Sequence, residues 1–325
     1  MYKLNMKDRR ILYELDFEAR QSLQQIGKKV GLPADVVHYR IKRLEKEGII
    51  TGYPFIVDLG KLGRIGYRVY LKFQHYNDNV KKEVVEYLQG FDSVKWIAEC
   101  YGAFDMVIGI ETNSIYEFGD LKDSIFSKID KYVLEKDIST VVEVNAFRRT
   151  YFLGKDLLEL NEPLFVMGRS AKTAIDSIDI NILKKLAEKG KATIIEIAKE
   201  LSLTPRIAGY RIKELENKGI ILGCRISINY EKLGIMLFKI LVYLQDKSTE
   251  GIRERIETFK QYCKTHPNVL HYEKIFGNWD MEPEFEVTSI EEMQKILNEI
   301  QNKFSDIIKK VETITITKEH KFRYF

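Results

Sequence analysis

Residues 39–50 read YRIKRLEKEGII and residues 210–221 read YRIKELENKGII, identical at nine of twelve positions. A chain that repeats itself this closely folds as two copies of one unit, and any fold assignment has to serve both. The offset of 171 that relates these segments also pairs Asp8-Arg9-Arg10-Ile11-Leu12 with Asp179-Ile180-Asn181-Ile182-Leu183, and Lys61-Leu62-Gly63 with Lys232-Leu233-Gly234. Further on, Gly102-Ala103-Phe104-Asp105-Met106 matches Gly277-Asn278-Trp279-Asp280-Met281 at an offset of 175. Four residues are therefore added in the second copy. They fit between Gln261 and Pro267, where His266-Pro267 marks a loop. Each copy is a unit of about 150 residues. Residues 153–173, with Gly154, Pro163 and Gly168, read as a linker with room for a short helix.

Each copy opens with three helical patterns. Ile11, Leu12 and Leu15 mark one helix face. Ser22 fits an N-cap for a second helix carrying Leu23, Ile26 and Val30, which Gly31 ends. Pro33 starts a third, with Val37, Ile41 and Leu44 as its apolar stripe and Gly48 as its stop. Two helices joined by a tight glycine turn form a helix-turn-helix pattern. Residues 49–53 and 55–57 read as two short strands with a turn, the wing. Beyond them Tyr67, Val69, Leu71 and Phe73 have strand period two, and the order that follows is βαββαβ, a ferredoxin-like unit. The fold class is α+β, two tandem copies of winged helix-turn-helix (1–60, 174–231) plus ferredoxin-like domain (61–152, 232–325).

The run Gly31-Leu32-Pro33-Ala34-Asp35-Val36-Val37-His38-Tyr39-Arg40-Ile41-Lys42-Arg43-Leu44-Glu45, then Gly48-Ile49-Ile50, resembles the leucine-responsive/asparagine-regulator (Lrp/AsnC) family. The downstream unit with its Gly-x-x-Asp turn is similar to that family's sensing domain. The resemblance implies a transcriptional regulator that binds double-stranded DNA through paired helix-turn-helix modules. It also implies sensing domains paired sheet to sheet and tuned by a small effector, often an amino acid. Carried over, the effector residues are Gly102 and Asp105 in copy one and Gly277 and Asp280 in copy two. Family members usually carry one copy, so this chain resembles a covalently joined dimer, and a homo-oligomer of such pseudo-dimers is expected.

On a wheel of about 100° per residue the third helix turns Asp35, Tyr39, Lys42 and Lys46 away from its apolar stripe, flanked by His38 and Arg43. Long cationic and aromatic side chains there suit the major groove and its phosphates. A solvated charged face is the alternative. Copy two shows Arg206, Tyr210, Lys213 and Asn217, with Ala208 for Val37 and Gly209 for His38. Asp35 has become Arg206, so the two helices are expected to read different half-sites, and the glycine makes copy two the weaker module. Arg40 and Arg211 lie near the stripe, where salt bridging competes with phosphate contact.

Glu282, Glu284 and Glu286 share one face of a strand interrupted by Pro283, where a local departure from pairing is expected. Arg68, Lys72 and Lys239 offer a basic row that could meet them across packed sheets, favouring copy one with copy two.

Bulk properties narrow the function classes. No run approaches eighteen apolar residues and the N-terminus lacks an apolar signal core, so a cytoplasmic protein without a membrane partner is expected. Cys100, Cys224 and Cys263 are scattered, which argues against disulfides and cysteine zinc sites. The net charge of +4 says little until the positive residues are placed. Phosphate-loop, nucleophile-elbow and His-Glu-x-x-His motifs are absent, so neither enzymic activity, nor a cofactor, nor a metal is expected. The rival reading is a fused haem-pathway (sirohaem-type) decarboxylase of the same layout, with His75, His271, Arg148 and Arg149 as candidates. A bare sensor that no longer binds DNA is a third.

Overall fold

The computed structural model describes residues 2–74, 77–154, 164–168, 171–245, 251–323 and 325. Copy one begins with α1 (Met6–Phe17), α2 (Leu23–Val30) and α3 (Ala34–Lys46). Asn5 caps α1, and Ser22 with Gln25 forms a capping box on α2, which Gly31 ends in the left-handed region at φ 65°. Copy two repeats this with α6 (Ser177–Glu188), α7 (Ile194–Glu200) and α8 (Pro205–Asn217), the last capped by Thr204.

The wings depart from the expected hairpin. Strands β1 (Ile50–Gly52) and β2 (Phe55–Val57) do not pair with each other. β1 pairs with β9 (Ser227–Ile228) and β2 with β8 (Ile221–Cys224), so each wing takes one strand from each copy. Pro54 favours this in copy one, since its fixed φ and its restriction on Tyr53 keep the connection extended where a two-residue hairpin needs a reversal, but copy two makes the same exchange with Arg225 at the equivalent position. The exchange carries core with it. Ile226, Ile228, Leu233 and Ile235 pack among Ile11, Leu12 and Leu44 of the first module, and Phe55 and Val57 pack among Ile182, Leu186 and Leu215 of the second.

The ferredoxin-like units follow the predicted order. Copy one has β3 (Ile65–Phe73), α4 (Asp78–Gln89), β4 (Val94–Gly102), β5 (Met106–Thr112), α5 (Ile115–Ile129) and β6 (Val133–Ala146). The linker contributes β7 (Phe165–Met167) to the edge of β6. A strand therefore stands among its described residues where a helix was allowed for, and residues 155–163 lie outside them. After the four-residue α9 (Tyr230–Leu233), copy two has β10 (Met236–Leu244), α10 (Ile252–Thr265), β11 (Val269–Phe276), β12 (Met281–Val287), α11 (Ile290–Lys303) and β13 (Ile308–Phe322).

Each unit forms a four-stranded antiparallel sheet, β4-β5-β3-β6 and β11-β12-β10-β13. The last strand of each copy pairs with the second strand of the other, β13 with β4 and β6 with β11. These two seams close the eight strands into a ring. Odd-numbered β3 residues such as Val69 and Leu71 pack toward α4 and α5, while Tyr70 turns inward to join Trp96, Phe104, Leu241 and Trp279. At Pro283 the ladder between β10 and β12 lapses and then resumes in register at Met281, the departure expected of a strand proline. Among the described residues no helix is long and apolar enough to cross a membrane.

Candidate nucleic-acid interface and interior cavity

The helices α3 and α8 present matching outer faces. Tyr39 and Tyr210 are 65% and 64% exposed, although a tyrosine ring left in water gains nothing from burial. Asp35, His38, Lys42, Arg206 and Lys213 are exposed around them. Lys42 and Lys213 each reach back 3.1 Å to a glutamate three residues on, Glu45 and Glu216. Such exposed pairs contribute only about 0.5 kcal/mol and yield readily to a phosphate. Arg43 is placed differently. Its Nη2 donates to Asp8 at 2.7 Å, beside Arg40 at 2.8 Å on the other carboxylate oxygen. In copy two Arg211 makes the equivalent contact with Asp179, while Glu214 stands where Arg43 does. The two modules also touch. Glu45 accepts from the Tyr53 hydroxyl at 2.6 Å and from Lys191, and a Cβ on Gly190 would lie 1.5 Å from the Tyr53 carbonyl oxygen. Exchanged wings and this contact fix one recognition helix relative to the other.

The Gly-x-x-Asp turns lie at the far end of the strands. Asp105 accepts from the Phe73 backbone N–H at 2.9 Å and pairs with Lys72 at 2.8 Å; Asp280 accepts from the Leu244 N–H at 2.9 Å. Both aspartates thus tie their turn to the end of the neighbouring strand. Gly102, at φ 127°, passes so close to β13 that a Cβ would sit 2.3 Å from the Thr313 carbonyl oxygen. A Cβ on Gly277 would come within 2.7 Å of Ser139 on β6. All four residues predicted to hold effector are engaged in turn and seam geometry, and none lines the interior cavity.

Between the sheets runs a network of buried charges. Arg68 Nη2 donates to Glu273 at 2.6 Å. Lys239 Nζ lies 3.1 Å from both Glu273 and Glu282, and Tyr70 and Trp279 donate to Glu282 at 2.6 and 2.7 Å. Burial would raise the Glu273 carboxyl, but Arg68 and Lys239 outweigh it and hold it well below the usual range. The predicted meeting of acidic and basic rows is realised only in part. Lys72 turns to Asp105, Glu284 to His271 and Glu286 to Arg149, so copy one's Arg68 meets a carboxylate on β11 instead of the β12 row. Sequence reasoning missed Glu273, although it shares the inward parity of Ile275 on β11.

A second cluster joins one residue from each module. Asp16 of α1, fully buried, accepts from Arg149 at 2.6 Å and from Arg225, in the exchanged wing, at 2.7 Å. Arg149 then donates to Glu286 at 2.9 Å, and the Tyr151 hydroxyl completes that carboxylate at 2.5 Å. Of the residues considered for a tetrapyrrole, Arg149 and His271 are held in these networks, Arg148 stacks 3.6 Å from the Phe17 ring, and His75 lies outside the described residues.

Beside this cluster, under the wings, is a cavity of about 820 Å³. Arg64, Lys95, Arg323 and Glu111 line it, with Trp96 and Arg68. Glu111 Oε2 is buried with no hydrogen-bond partner, and Arg64 Nη1 is 3.7 Å away. Burial outweighs Lys95 and Arg64 and pushes this carboxyl up to about 7. The folded chain therefore binds a proton between about pH 4.5 and 7 that the unfolded chain releases, and ionised Glu111 costs stability above that window. Glu111→Gln is expected to stabilise by up to about 3 kcal/mol at pH 8 and by little at pH 5, read as the difference between urea unfolding curves. Among the described residues no three His, Cys, Asp or Glu side chains are grouped to hold a metal ion.

A family profile described as winged helix-turn-helix DNA-binding matches residues 4–51 and 175–221. An HTH-type transcriptional regulator of Pyrococcus horikoshii is 31% identical over 118 residues, 36% of this chain and 78% of that protein. The proline dehydrogenase transcriptional activator of Rhodobacter capsulatus is 31% identical over 118 residues, 35% of this chain and 75% of its own. The leucine-responsive regulatory protein of Haemophilus influenzae is 29% identical over 131 residues, 40% and 77%. Across both copies the fold is that of the siroheme decarboxylase NirDL, with a TM-score of 0.62, covering 98% of this chain and 93% of that one at 15% identity. That match corrects the expectation of a chain without enzymic activity: the complete four-module arrangement is also the fold of a decarboxylase, so missing linear motifs do not separate it from enzymes.

Proposed function

Because the chain belongs to the Lrp/AsnC family of transcriptional regulators, in tandem duplication, we propose that it reads an asymmetric DNA operator with α3 and α8 and responds to a small-molecule effector. The observation that carries this reading is the pair of exposed recognition faces, with Tyr39 and Lys42 repeated as Tyr210 and Lys213, on modules whose spacing the exchanged wings fix. Asp35 and His38 supplement the first face and Arg206 the second. Arg43, anchored by Asp8, holds α3 against α1 and reaches phosphate only from that tether. Difference between the two faces is what makes the operator asymmetric. Assembly of several chains belongs to the same reading. Tyr101 and Phe276, equivalent across the repeat, are 79% and 78% exposed beside the two turns. The effector reading rests on the cavity, which opens between wings and sheets and so touches the elements that set helix spacing.

Fluorescence anisotropy of the protein against a labelled pool of its own upstream DNA, titrated with salt, tests the DNA reading. Tight binding that weakens steeply with salt is expected. Tyr39→Ala with Lys42→Ala should lower affinity roughly 100-fold, and Tyr210→Ala with Lys213→Ala less. Binding indifferent to both pairs would sink it. The haem-pathway alternative expects that indifference together with a visible spectral shift on adding an iron porphyrin.

A further inference from the structure

The repeat supplies an internal control on the cavity. Gly66 faces Glu111 across β3 and β5, and Leu237 faces Glu286 across β10 and β12, so the two glutamates are equivalent positions of the two copies. Glu286 is fully satisfied by the Arg149 guanidinium and the Tyr151 hydroxyl. Glu111 is equally placed but has no hydroxyl donor, and its one ion-pair partner, Arg64, stands 3.7 Å away, beyond hydrogen-bond reach. Around it stand four cations, of which Arg68 is bonded to Glu273 and Arg64 is in ion-pair range of Glu111 itself. Among the described residues no carboxylate lies within ion-pair distance of Lys95 or Arg323, and Arg68, though bound to Glu273, leaves its Nε unbonded. Arg64 stacks 4.5 Å from the Phe325 ring and leaves its guanidinium edge toward Glu111. A fold that closes one corner with a hydrogen-bonded ion pair and leaves its twin loosely paired, buried and rich in cations has kept that corner for something outside the chain.

We propose that the Glu111 corner of the cavity binds a small organic anion, a carboxylate or phosphate ester, through Arg64, Lys95 and Arg323, with Glu111 protonated in the complex. A cation is excluded by three like charges around a single carboxylate. An anion neutralises them and supplies acceptors for Arg68 Nε and for the Glu111 hydroxyl proton. Titratable groups facing the corner are Lys95 on β4 with Asp92 ahead of it, Arg64 and Arg68 at β3, Arg323 after β13, and Glu319 on β13, whose carboxylate accepts from the Trp96 indole at 2.9 Å. The proposal rests on the effector reading of the cavity, and it is separable from the DNA reading because binding is measured without DNA.

The experiment uses the full chain and three probes, citrate, inorganic phosphate and fructose bisphosphate, each followed by calorimetry and by tryptophan fluorescence. Trp96 lies in the cavity wall and serves as reporter; Trp279 is buried at the turn end and stays silent. Saturable binding is expected for at least one probe, citrate alone marking a carboxylate site and the phosphates a phosphoryl site. Lys95→Met and Arg323→Met should each weaken it about tenfold. Affinity should fall by roughly tenfold per pH unit above 7, and Glu111→Gln should flatten that dependence. Variants are matched by circular dichroism, so that loss of fold is not read as loss of the site. No saturable binding by the unaltered chain, or binding that Lys95→Met and Arg323→Met leave unchanged, would overturn the proposal. Saturable anion binding by a chain that binds no DNA either with or without the anion would instead count against the regulator reading alone.

Discussion

Asp16→Ala is expected to destabilise the protein by about 3–5 kcal/mol, the largest effect of any single truncation considered. Asp16 has no exposed surface and receives two guanidinium groups and one backbone N–H. Removing it leaves Arg225 with no carboxylate in contact and Arg149 with Glu286 alone. Buried cations so stripped cost far more than the ion pair gained, because desolvation has already been incurred. Asp16 also belongs to α1, Arg225 to the exchanged wing, Arg149 to the end of β6 and Glu286 to β12. The loss should therefore loosen all four modules together and appear as one broadened, lowered transition. Burial would raise the Asp16 carboxyl, yet Arg225 and Arg149 bring it below its ordinary value. A depressed carboxyl contributes stability that is present above about pH 4 and is lost as pH falls through the folded value. Wild type and Asp16→Ala should thus differ most at neutral pH and converge in acid, read as urea midpoints across pH. A loss below about 1 kcal/mol at pH 7 would show that the cluster relaxes and that Asp16 does not hold the modules together.

The repeat itself made much of this architecture legible. The Val37, Ile41, Leu44 stripe, the glycine stops and the period-two strands are local signals, and the structure follows them. Wing exchange was not legible, because Ile50–Gly52 and Phe55–Val57 carry the same strand propensity whichever partner they pair with. Only Pro54 in copy one argued against a hairpin, copy two has Arg225 there, and the partners lie in the other copy of the repeat. The charge network was half legible. Parity placed Glu282, Glu284 and Glu286 on one face, but partners in a closed ring depend on which strands meet at the seams, so Lys72 and Glu273 were assigned wrongly or passed over. Glu111 could have been found as the twin of Glu286 at offset 175; its importance lies in a missing partner, which no pattern within one strand displays. Effector assignment to the Gly-x-x-Asp turns came from resemblance, whereas the hydrogen bonds of Asp105 and Asp280 explain those residues as turn closure.

If the two copies are produced as separate chains, divided within residues 155–163, they should associate one to one and neither should form a stable homodimer. The inward trio at equivalent positions is Arg68, Ala98 and Val107 in copy one and Lys239, Glu273 and Glu282 in copy two, as the pairings Ala98 with Val107 and Glu273 with Glu282 establish. Two first copies would bury two guanidinium groups against alanine and valine. From this trio alone two second copies would bury four glutamates with two lysines, and Leu241 would stand where Tyr70 donates to Glu282. The mixed pair alone balances Arg68 and Lys239 against Glu273 and a Glu282 whose carboxyl burial raises above its ordinary value. Each uncompensated buried charge costs several kcal/mol, so the mixed pair should be favoured on the order of 1,000-fold. Exchanged wings do not explain such a preference, since their pairings are backbone ladders that either copy could offer to itself. Size-exclusion with light scattering on each half and on the mixture reads the outcome directly. Arg68→Met with Glu273→Met should keep the mixed pair while reducing its preference over homodimers. Homodimers as stable as the mixture would mean that the buried charges fill space between the sheets without choosing the partner.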